Sequence, residues 1–467
     1  MPSIPLGLTD YQRSELPPLT IKNYYFEKAP TNLEDEVALI PRPRLREFAS
    51  VGMGPIRGLF RKGNVLANAG NSGQIICLSG SALYKVNQNT GDETLIDTGL
   101  TGDLRMSAEG NESVVVLAMG SKPYTTNGTT LAEIVFPDGL SVYAIDILNG
   151  YFLFCSEFGR FYWSQPGLTN VEQLDYATAE SSPDVLLTLK VIGDELWLFG
   201  RYSIEVWQPT GDLDLPFQRI GGRIFGIGIT GRQSAQKLNV EGVDTVCWVG
   251  TDRKVYRTNP NPVRISDNAM EARLKRVVDP TLLYAEVDNW AGHDFYVLHI
   301  PGEGSFACDL GTGMWSERTS YGRDLFRANV STLAPNNAPL LGDDADGTIW
   351  EMTEDQITDG DDPVVFEASG LLEVNGPPVR NNNVMIEGAP GNTTDPDADP
   401  MMTLQWSNDL GQEWSDPKTA PMGRMGERGR RIIWKRLPIM KRPGRVFRWR
   451  TTQPMTIRKA KYNEVYR

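Results

Sequence analysis

A short apolar run recurs seven times along this chain, with starting positions 38 to 50 residues apart. Each run is six or seven residues long and lies between turn residues, which is typical of a buried β-strand. A tight turn and a second strand follow most of the runs, and six of these second strands carry an aromatic residue at about the same place. A hairpin every roughly 40 to 50 residues predicts the four-stranded blades of a β-propeller. The runs are QIICLS (74–79), SVVVLAM (113–119), YFLFCSE (151–157), ELWLFGR (195–201), DTVCWVG (244–250), DFYVLHI (294–300) and APLLGDD (338–344).

The two ends of the chain differ from this repeat. Residues 1–60 contain eight prolines and few periodic runs, and they predict an extended N-terminal arm that lies on another surface. Residues 61–363 contain the repeat and predict a propeller of about seven blades. Residues 364–467 contain alternating runs with a period of two, which predict a C-terminal β-sandwich. The fold class is therefore all-β, and 266–279, with Ser266 or Asp267 as its cap, is the best candidate for a helix.

The residues give little support for a catalytic site or a metal site. The chain has two histidines, His293 and His299, which lie in one predicted strand about 20 Å apart and so cannot share a metal ion. The four cysteines are too few for a disulfide framework in a chain of 467 residues. Residues 226–231 match G-x-G-x-x-G, but no convincing helix follows, which favours a tight strand connection over a nucleotide site. We predict no enzymatic activity, no cofactor and no metal.

One motif near the C-terminus predicts a stabilised hairpin. Ser407, Asp409, Gly411 and Trp414 fit S-x-D-x-G-x-x-W, which resembles the Asp-box of sialidase-type propellers. In that motif the Asp and Ser side chains bond turn amides, and the glycine supplies a positive φ. The motif is structural, occurs once, and lies outside the predicted propeller.

The charge of the chain is strongly polarised. Residues 421–467 have a net charge of +13, which leaves −26 on the other 420 residues. The basic end strands could contact an acidic protein surface, including another copy of this chain, or the phosphate backbone of DNA. No run of 18 apolar residues predicts a membrane helix, and no signal peptide is apparent, so we expect synthesis in the cytoplasm. The candidate docking residues of this end are Arg430, Arg431, Lys435, Arg436, Arg448 and Arg450.

Four segments, in order over nearly the whole chain, carry a family likeness. The most specific is 175–211, with Ala-Glu-x-x-Pro-Asp, a strand, Phe-Gly-x-x-x-Ile-Glu and a Thr-Gly turn. The others are 23–60, with Arg-Pro-x-Leu and Gly-x-x-Arg-Gly, then ISDNAMEARL (265–274) and the end strands at 432–457. Together they resemble the packaged-DNA stabilisation proteins of short-tailed bacteriophages, also called tail accessory or tail hub proteins. An Asp-rich insertion near 393–400 and the very basic end depart from that family.

This resemblance implies a role in a virion rather than a reaction. Proteins of this family close the portal and adaptor channel after packaging, form a ring of six copies, retain the DNA, and receive the tail needle and the tailspikes or fibres. The resemblance therefore implies a phage tail protein assembled in the host cytoplasm, through which double-stranded DNA passes without sequence-specific binding. In the arm, which can tie neighbouring subunits together, Tyr24, Tyr25, Arg42 and Arg44 are candidate docking residues.

The charge suggests how such a ring treats its cargo. A DNA conduit should not bind DNA tightly, because each neutralised phosphate adds affinity, and an acidic lining repels it. We predict that Asp343, Asp344 and Asp346 line the lumen and that the basic end strands face other subunits or the adaptor.

Two further function classes stay open. One is a glycan-binding or glycan-cleaving propeller protein of a phage tail, because acidic residues are plentiful enough to supply a catalytic pair. The other is a cytoplasmic interaction propeller unrelated to phages.

Overall fold

The computed structural model describes residues 3–9, 18–28, 37–179, 184–374, 378, 380–391 and 398–465. The Asp-rich insertion expected near 393–400 lies largely outside these residues. The N-terminal part forms five strands, numbered with the others in chain order: Ser3–Ile4 (β1), Ile21–Lys22 (β2), Tyr24–Lys28 (β3), Val37–Pro41 (β4) and Arg44–Ser50 (β5).

Seven antiparallel blades follow in chain order, which confirms the predicted propeller. Blade 1 has Ile56–Phe60 (β6), Ile75–Ser79 (β7), Ala82–Val86 (β8) and Glu93–Asp97 (β9). Blade 2 has Ser107–Gly110 (β10), Val115–Ala118 (β11), Tyr124–Thr126 (β12) and Leu131–Glu133 (β13). Blade 3 has Val142–Leu148 (β14), Tyr151–Ser156 (β15), Arg160–Trp163 (β16) and Tyr176–Thr178 (β17). Blade 4 has Leu186–Ile192 (β18), Glu195–Gly200 (β19), Ile204–Pro209 (β20) and Phe217–Phe225 (β21).

Of the last three blades, blade 6 continues into a larger sheet and blade 7 takes a strand from the N-terminal part of the chain. Blade 5 has Gln236–Val240 (β22), Val243–Val249 (β23), Val255–Asn259 (β24) and Asn261–Arg264 (β25). Blade 6 has Tyr284–Trp290 (β26), His293–Ile300 (β27), Gly304–Asp309 (β28) and Met314–Arg318 (β29). Blade 7 has Ala328–Leu333 (β30), Pro339–Asp343 (β31) and Thr348–Thr353 (β32), and β5 is its fourth strand.

Each of the seven apolar runs forms the second strand of a blade. These strands are buried on both faces because each blade packs between two neighbours. In blade 3, for example, Leu153 and Cys155 face blade 4, and Phe152 and Phe154 face blade 2. A strand buried on both faces needs apolar residues without alternation, which explains why the runs are continuous.

The propeller is closed by a strand from the N-terminal part of the chain. Strand β5 pairs antiparallel with β32, from Arg44 opposite Thr353 to Ser50 opposite Thr348. Residues 44–50 and 56–60, which the sequence assigned to the extended arm, thus supply strands of blades 7 and 1. Their short length and the prolines around them hid this role, because the pairing partner of β5 lies about 300 residues away in the chain.

The C-terminal part forms a sandwich of two sheets. Its strands are Phe366–Glu373 (β35), Arg380–Gly388 (β36), Met401–Ser407 (β37), Lys418–Pro421 (β38), Ile432–Lys435 (β39), Gly444–Thr451 (β40) and Ile457–Val465 (β41). One sheet has the order β2-β35-β40-β37-β38 and the other β3-β4-β41-β36-β39, with β1 also on β41. Ile21, Tyr24 and Phe26 from the arm pack in the core of the sandwich. A two-stranded hairpin, Thr358–Asp359 (β33) and Asp362–Pro363 (β34), precedes the sandwich.

Propeller and sandwich share one continuous sheet of nine strands. Strand β2 pairs in parallel with β29 of blade 6, where Lys22 lies opposite Glu317, and antiparallel with β35 of the sandwich, where Ile21 lies opposite Ala368. Two residues of the arm therefore join the two domains through backbone hydrogen bonds.

The α-helix of the described chain, Asn268–Arg276 (α1), lies between blades 5 and 6 at the predicted place. Asp267 caps it by accepting a hydrogen bond from the backbone N of Met270, and Met270 and Leu274 face the core. Two single-turn 3-10 helices, Pro137–Gly139 and Pro280–Leu282, lie in links between blades.

Candidate docking faces and central channel

The candidate docking residues of the arm are internal to the subunit. Tyr24 is 2% exposed and packs against Phe366 in the sandwich core, where burial raises the pKa of its phenol. Tyr25 packs edge-on against His293 and Phe295 of blade 6. The described arm thus lies on its own chain: Tyr24 packs within the sandwich, and Tyr25 holds the sandwich to blade 6.

Arg42 and Arg44 are buried as well. Arg42 forms a bidentate ion pair with Asp359, with Nη2 to Oδ2 at 2.6 Å, and its Nε donates to Oδ1 of Asn23 at 2.8 Å. Arg44 donates to the carbonyl oxygens of Gln356 and Glu354. Neither guanidinium is available to a partner, which corrects the docking assignment for all four arm residues. A sequence does not show whether an arginine pairs within its own chain.

The three acids predicted to line a DNA channel have other surroundings. Asp343 is fully buried, pairs with Arg323 at 2.7 Å, and accepts from the indole N–H of Trp350. Asp344 pairs with the same arginine. Asp346 is exposed and accepts from the backbone N of Thr348 in its own turn. Asp343 and Asp344 are therefore neutralised within the subunit and do not form an acidic lining.

The basic residues of the last strands separate into two groups. In β40, Arg450 pairs with Glu367, and the Arg448 guanidinium lies 3.8 Å from the ring centroid of Trp414. The second group consists of four exposed residues, Arg430, Arg431, Lys435 and Arg436, and we call it the basic end. A groove of about 400 Å³ beside the basic end is also lined by Arg428, Arg458 and Lys461.

The single Asp-box forms the hairpin between β37 and β38, as predicted. The Ser407 hydroxyl accepts from the backbone N of Gly411 at 2.7 Å, and Asp409 accepts from the backbone N–H groups of Gln412 and Glu413. The Ser407 hydroxyl also donates to Oδ1 of Asp409, and this bond, together with the backbone bonds, lowers the pKa of Asp409. Gly411 has φ +98, so the turn uses its freedom from a side chain. Trp414 contacts Arg448, and the box has a structural role.

One face of the propeller presents a ring of exposed apolar side chains. We call this the upper face; it consists of the loops between second and third strands and the links between blades, which emerge on the same side. Met53 and Val278 are 99% and 98% exposed. Exposed apolar side chains on one face are suited to contacts with other proteins. The ring comprises Met53, Val135, Phe158, Val185, Tyr202, Val278, Leu282 and Tyr321.

The opposite, lower face is acidic. It consists of the loops between first and second and between third and fourth strands, and their basic residues are Arg61 and Lys62, of which Lys62 pairs with Glu109. Seven exposed acids of this face come from five blades: Asp92, Glu112, Glu172, Asp194, Asp212, Asp214 and Glu241.

The inner strands of the blades surround a central channel with a cavity of about 430 Å³. Six basic and four acidic side chains line it. Among them, Glu286 is 2% exposed, and neither of its carboxylate oxygens has a hydrogen-bond partner in the described chain. Burial raises the pKa of Glu286 to about 8, with a further contribution from Asp288, so this acid is mostly protonated at neutral pH. This channel is not apparent in the amino-acid sequence, because its polar residues lie on separate strands about 40 residues apart.

The remaining chemical candidates have structural roles. His299 is buried, hydrogen-bonds Ser305 at 2.9 Å, and has its pKa lowered well below the usual value by burial. All four cysteines are buried and free. A Cβ on Gly228 would lie 2.0 Å from the carbonyl oxygen of Arg201, so the G-x-G-x-x-G segment is a tight connection between blades 4 and 5. Within the described residues, no group of three or more His, Cys, Asp or Glu could hold a metal ion, and no helix is long and apolar enough to cross a membrane.

The chain matches two family models. The model of the bacteriophage P22 Gp10 β-propeller matches residues 22–356, and the model of the bacteriophage P22 Gp10 β-sandwich matches residues 368–463. No curated protein matches the chain. Similar solved structures include the WD40 β-propeller domain of Doa1, with 9% identity, a TM-score of 0.43, and coverage of 67% of this chain and 98% of that chain. Another is the extracellular domain of the hybrid two component system BT4673 from B. thetaiotaomicron, with 11% identity, a TM-score of 0.45, and coverage of 87% and 62%.

Proposed function

Because the chain belongs to the bacteriophage P22 Gp10 family, a family of phage structural proteins, we propose that it is the tail hub of a short-tailed phage. In this role it closes the portal and adaptor channel after packaging, retains the DNA, and anchors the tail needle and the tailspikes or fibres. The match of the two family models over residues 22–356 and 368–463 carries the proposal, and exposed apolar side chains on the propeller loops are suited to the docking of other proteins.

DNA passes between subunits in this proposal, rather than through one propeller. The central cavity measures about 430 Å³ and is lined by inward-facing side chains of one subunit, so it is a small pocket rather than a passage for a duplex. We therefore propose a ring of six copies whose lumen is the DNA conduit.

Charge complementarity supports a contact between neighbouring copies. The basic end of one subunit and the acidic lower face of the next have opposite charge, and the two surfaces lie on different domains. Contacts between different surfaces of identical subunits generate rings when the rotation closes. We propose that the basic end docks on the lower face of the adjacent copy.

The mass of the full chain in solution tests this arrangement. We expect a discrete oligomer at low salt that dissociates as salt rises, because surface charges are screened over about 10 Å at 0.1 M. Arg430→Glu with Arg431→Glu should give monomers, whereas Lys275→Glu, an exposed charge reversal on α1, should leave the mass unchanged.

Two results oppose the proposal. A wild-type chain that stays monomeric at all salt concentrations, even with portal and adaptor proteins present, would count against the hub. Loss of binding to linear duplex DNA in the double variant, with an unchanged mass, would show that the basic end contacts DNA instead of a neighbouring subunit.

A further inference from the structure

The groove beside the basic end brings cationic and apolar side chains together on the sandwich. It is lined by residues of β36, of β41 and of the segment that leads into β39, and we call it the basic groove. Met385 and Ile432 also line it, so this surface offers apolar contacts as well as charge. Its cationic residues, all exposed except the partly buried Lys461, are Arg428, Arg430, Arg431, Arg458 and Lys461.

Acids of the described chain neutralise only part of this charge. Lys461 pairs with Glu387 at 2.6 Å. Arg430 lies 3.9 Å from Glu427, and both side chains are about half exposed, so this pair contributes little. Three guanidinium groups of the groove thus remain available to carboxylates from outside, which arginine binds with paired donors. The arginines without an ion-pair partner among the described residues are Arg428, Arg431 and Arg458.

A loop of blade 4 has the complementary chemistry. The loop between β20 and β21 reads TGDLDLP (210–216), in which Asp212 and Asp214 alternate with Leu213 and Leu215. Both leucines are more than half exposed, and the loop contains no basic residue. Of the seven exposed acids of the lower face, these are the two that lie closest together in the chain, and both adjoin exposed leucines. The loop therefore presents negative charge and apolar surface at one point.

Hydrogen bonds within the loop hold it in one shape. The Thr210 hydroxyl donates to the carbonyl oxygen of Leu215 at 2.6 Å and accepts from the backbone N of Asp212 at 3.0 Å. The backbone N of Asp214 donates to Oδ1 of Asp212 at 2.8 Å. A loop that is already ordered loses little conformational freedom on binding, so its side chains are suited to a specific contact.

We propose that the basic groove of one copy receives the loop 210–216 of a neighbouring copy. Asp212 and Asp214 pair with the arginines of the groove, and the exposed leucines pack against its apolar lining. Arginine and methionine are enriched in protein interfaces, and complementary charges fix the register of such contacts.

The positions of the two surfaces suit a ring. The groove lies on the sandwich and the loop on blade 4, so each copy offers one surface to each of two neighbours. This inference rests on the ring proposed above and names the surfaces that join its subunits.

Reciprocal charge reversal in the full chain tests the pairing. Arg428→Glu with Arg458→Glu makes the groove acidic, and Asp212→Lys with Asp214→Lys makes the loop basic. Each variant alone should associate about tenfold or more weakly than the wild type in sedimentation velocity at low salt, because like charges then face each other. An equimolar mixture of the two should assemble as the wild type does, because every groove in an alternating ring meets a loop of opposite charge.

Two further variants control for misfolding and for general charge effects. Asp212→Asn with Asp214→Asn keeps an acceptor for the backbone N of residue 214 and should also weaken association, with an unchanged circular dichroism spectrum. Glu112→Lys with Glu241→Lys, which reverses exposed acids of the lower face on blades 2 and 5, should assemble as the wild type does.

The possible failures of this inference and of the ring are distinguishable. The contact is refuted, with the ring intact, if the wild type assembles and the loop variants assemble equally well, or if folded variants stay dissociated when mixed. Loss of duplex DNA binding by the groove variant, with an unchanged mass, shows that the groove contacts DNA instead of a second copy. A wild type that stays monomeric under all conditions overturns the ring and this contact together.

Discussion

Removing the carboxylate of Asp359 should destabilise the whole protein, because this group neutralises the buried Arg42. The side chains are 2% and 3% exposed, and the two guanidinium contacts are 2.6 and 3.2 Å long. Asp359 also accepts from the backbone N of Leu45 at 3.0 Å, where β5 closes the propeller. Breaking a buried ion pair from one side typically costs about 3 to 5 kcal/mol, since the remaining charge is left without a counter-ion. We expect a loss of this size for Asp359→Ala.

The corresponding change in melting temperature is small but measurable. An unfolding entropy of about 2.1 cal/mol/K for each of 467 residues gives about 1 kcal/mol/K, so the melting temperature should fall by about 3 to 5 °C if the chain unfolds as one unit. Scanning calorimetry together with urea unfolding measures both quantities. Glu351→Ala is the matched control, because it breaks an ion pair between β5 and β32 in which the Arg46 side chain is 47% exposed. Its expected cost is below about 1 kcal/mol.

A double variant separates burial of charge from loss of packing. Arg42→Met with Asp359→Leu replaces the pair by apolar groups, and it should recover most of the stability lost by Asp359→Ala. The reasoning is refuted if Asp359→Ala costs no more than Glu351→Ala, or if the double variant is less stable than Asp359→Ala.

Three further predictions concern buried groups. Glu286→Gln should flatten the pH dependence of stability. The pKa of Glu286 is raised from 4.5 to about 8 in the folded protein, so the free energy of unfolding of the wild type falls as pH rises between these values. Urea unfolding between pH 5 and 8 measures this, and the same pH dependence in wild type and variant would contradict it. Gly228→Ala should cost about 1 to 3 kcal/mol in the same assay through its clash with Arg201, whereas Gly221→Ala, with open space around its Cβ, should stay within about 0.5 kcal/mol. The four buried thiols of Cys77, Cys155, Cys247 and Cys308 should react with Ellman's reagent in the denatured protein but not in the native protein. A native thiol that reacts fast would contradict this.

The propeller could be predicted because its second strands are buried between neighbouring blades. Burial on both faces requires uninterrupted apolar runs, and seven of them at a regular spacing left little room for another architecture. The helix at 268–276 could be predicted as well, because the cap Asp267 and the spacing of Met270 and Leu274 are local features of the sequence. Local patterns of this kind depend on residues close together in the chain.

The arm and the channel depend on contacts that no local pattern encodes. Arg42 meets a partner 317 positions away, and β2 is only two residues long. Basic and aromatic residues in a proline-rich segment look like docking residues until the surface that covers them is known. Arg105, Arg232 and Glu286 come from different blades, and each alone resembles an ordinary polar residue at a strand end.

Closure of the propeller by β5 has a consequence for the timing of synthesis. The strand that completes blade 7 leaves the ribosome about 300 residues before its partner β32, which at roughly 5 to 20 residues per second is a delay of about 15 to 60 seconds. The apolar residues Ile21, Tyr24 and Phe26 stay uncovered for longer, because the sandwich strands that bury them are translated last. A chain that ends before β32 therefore has neither a closed propeller nor a covered arm.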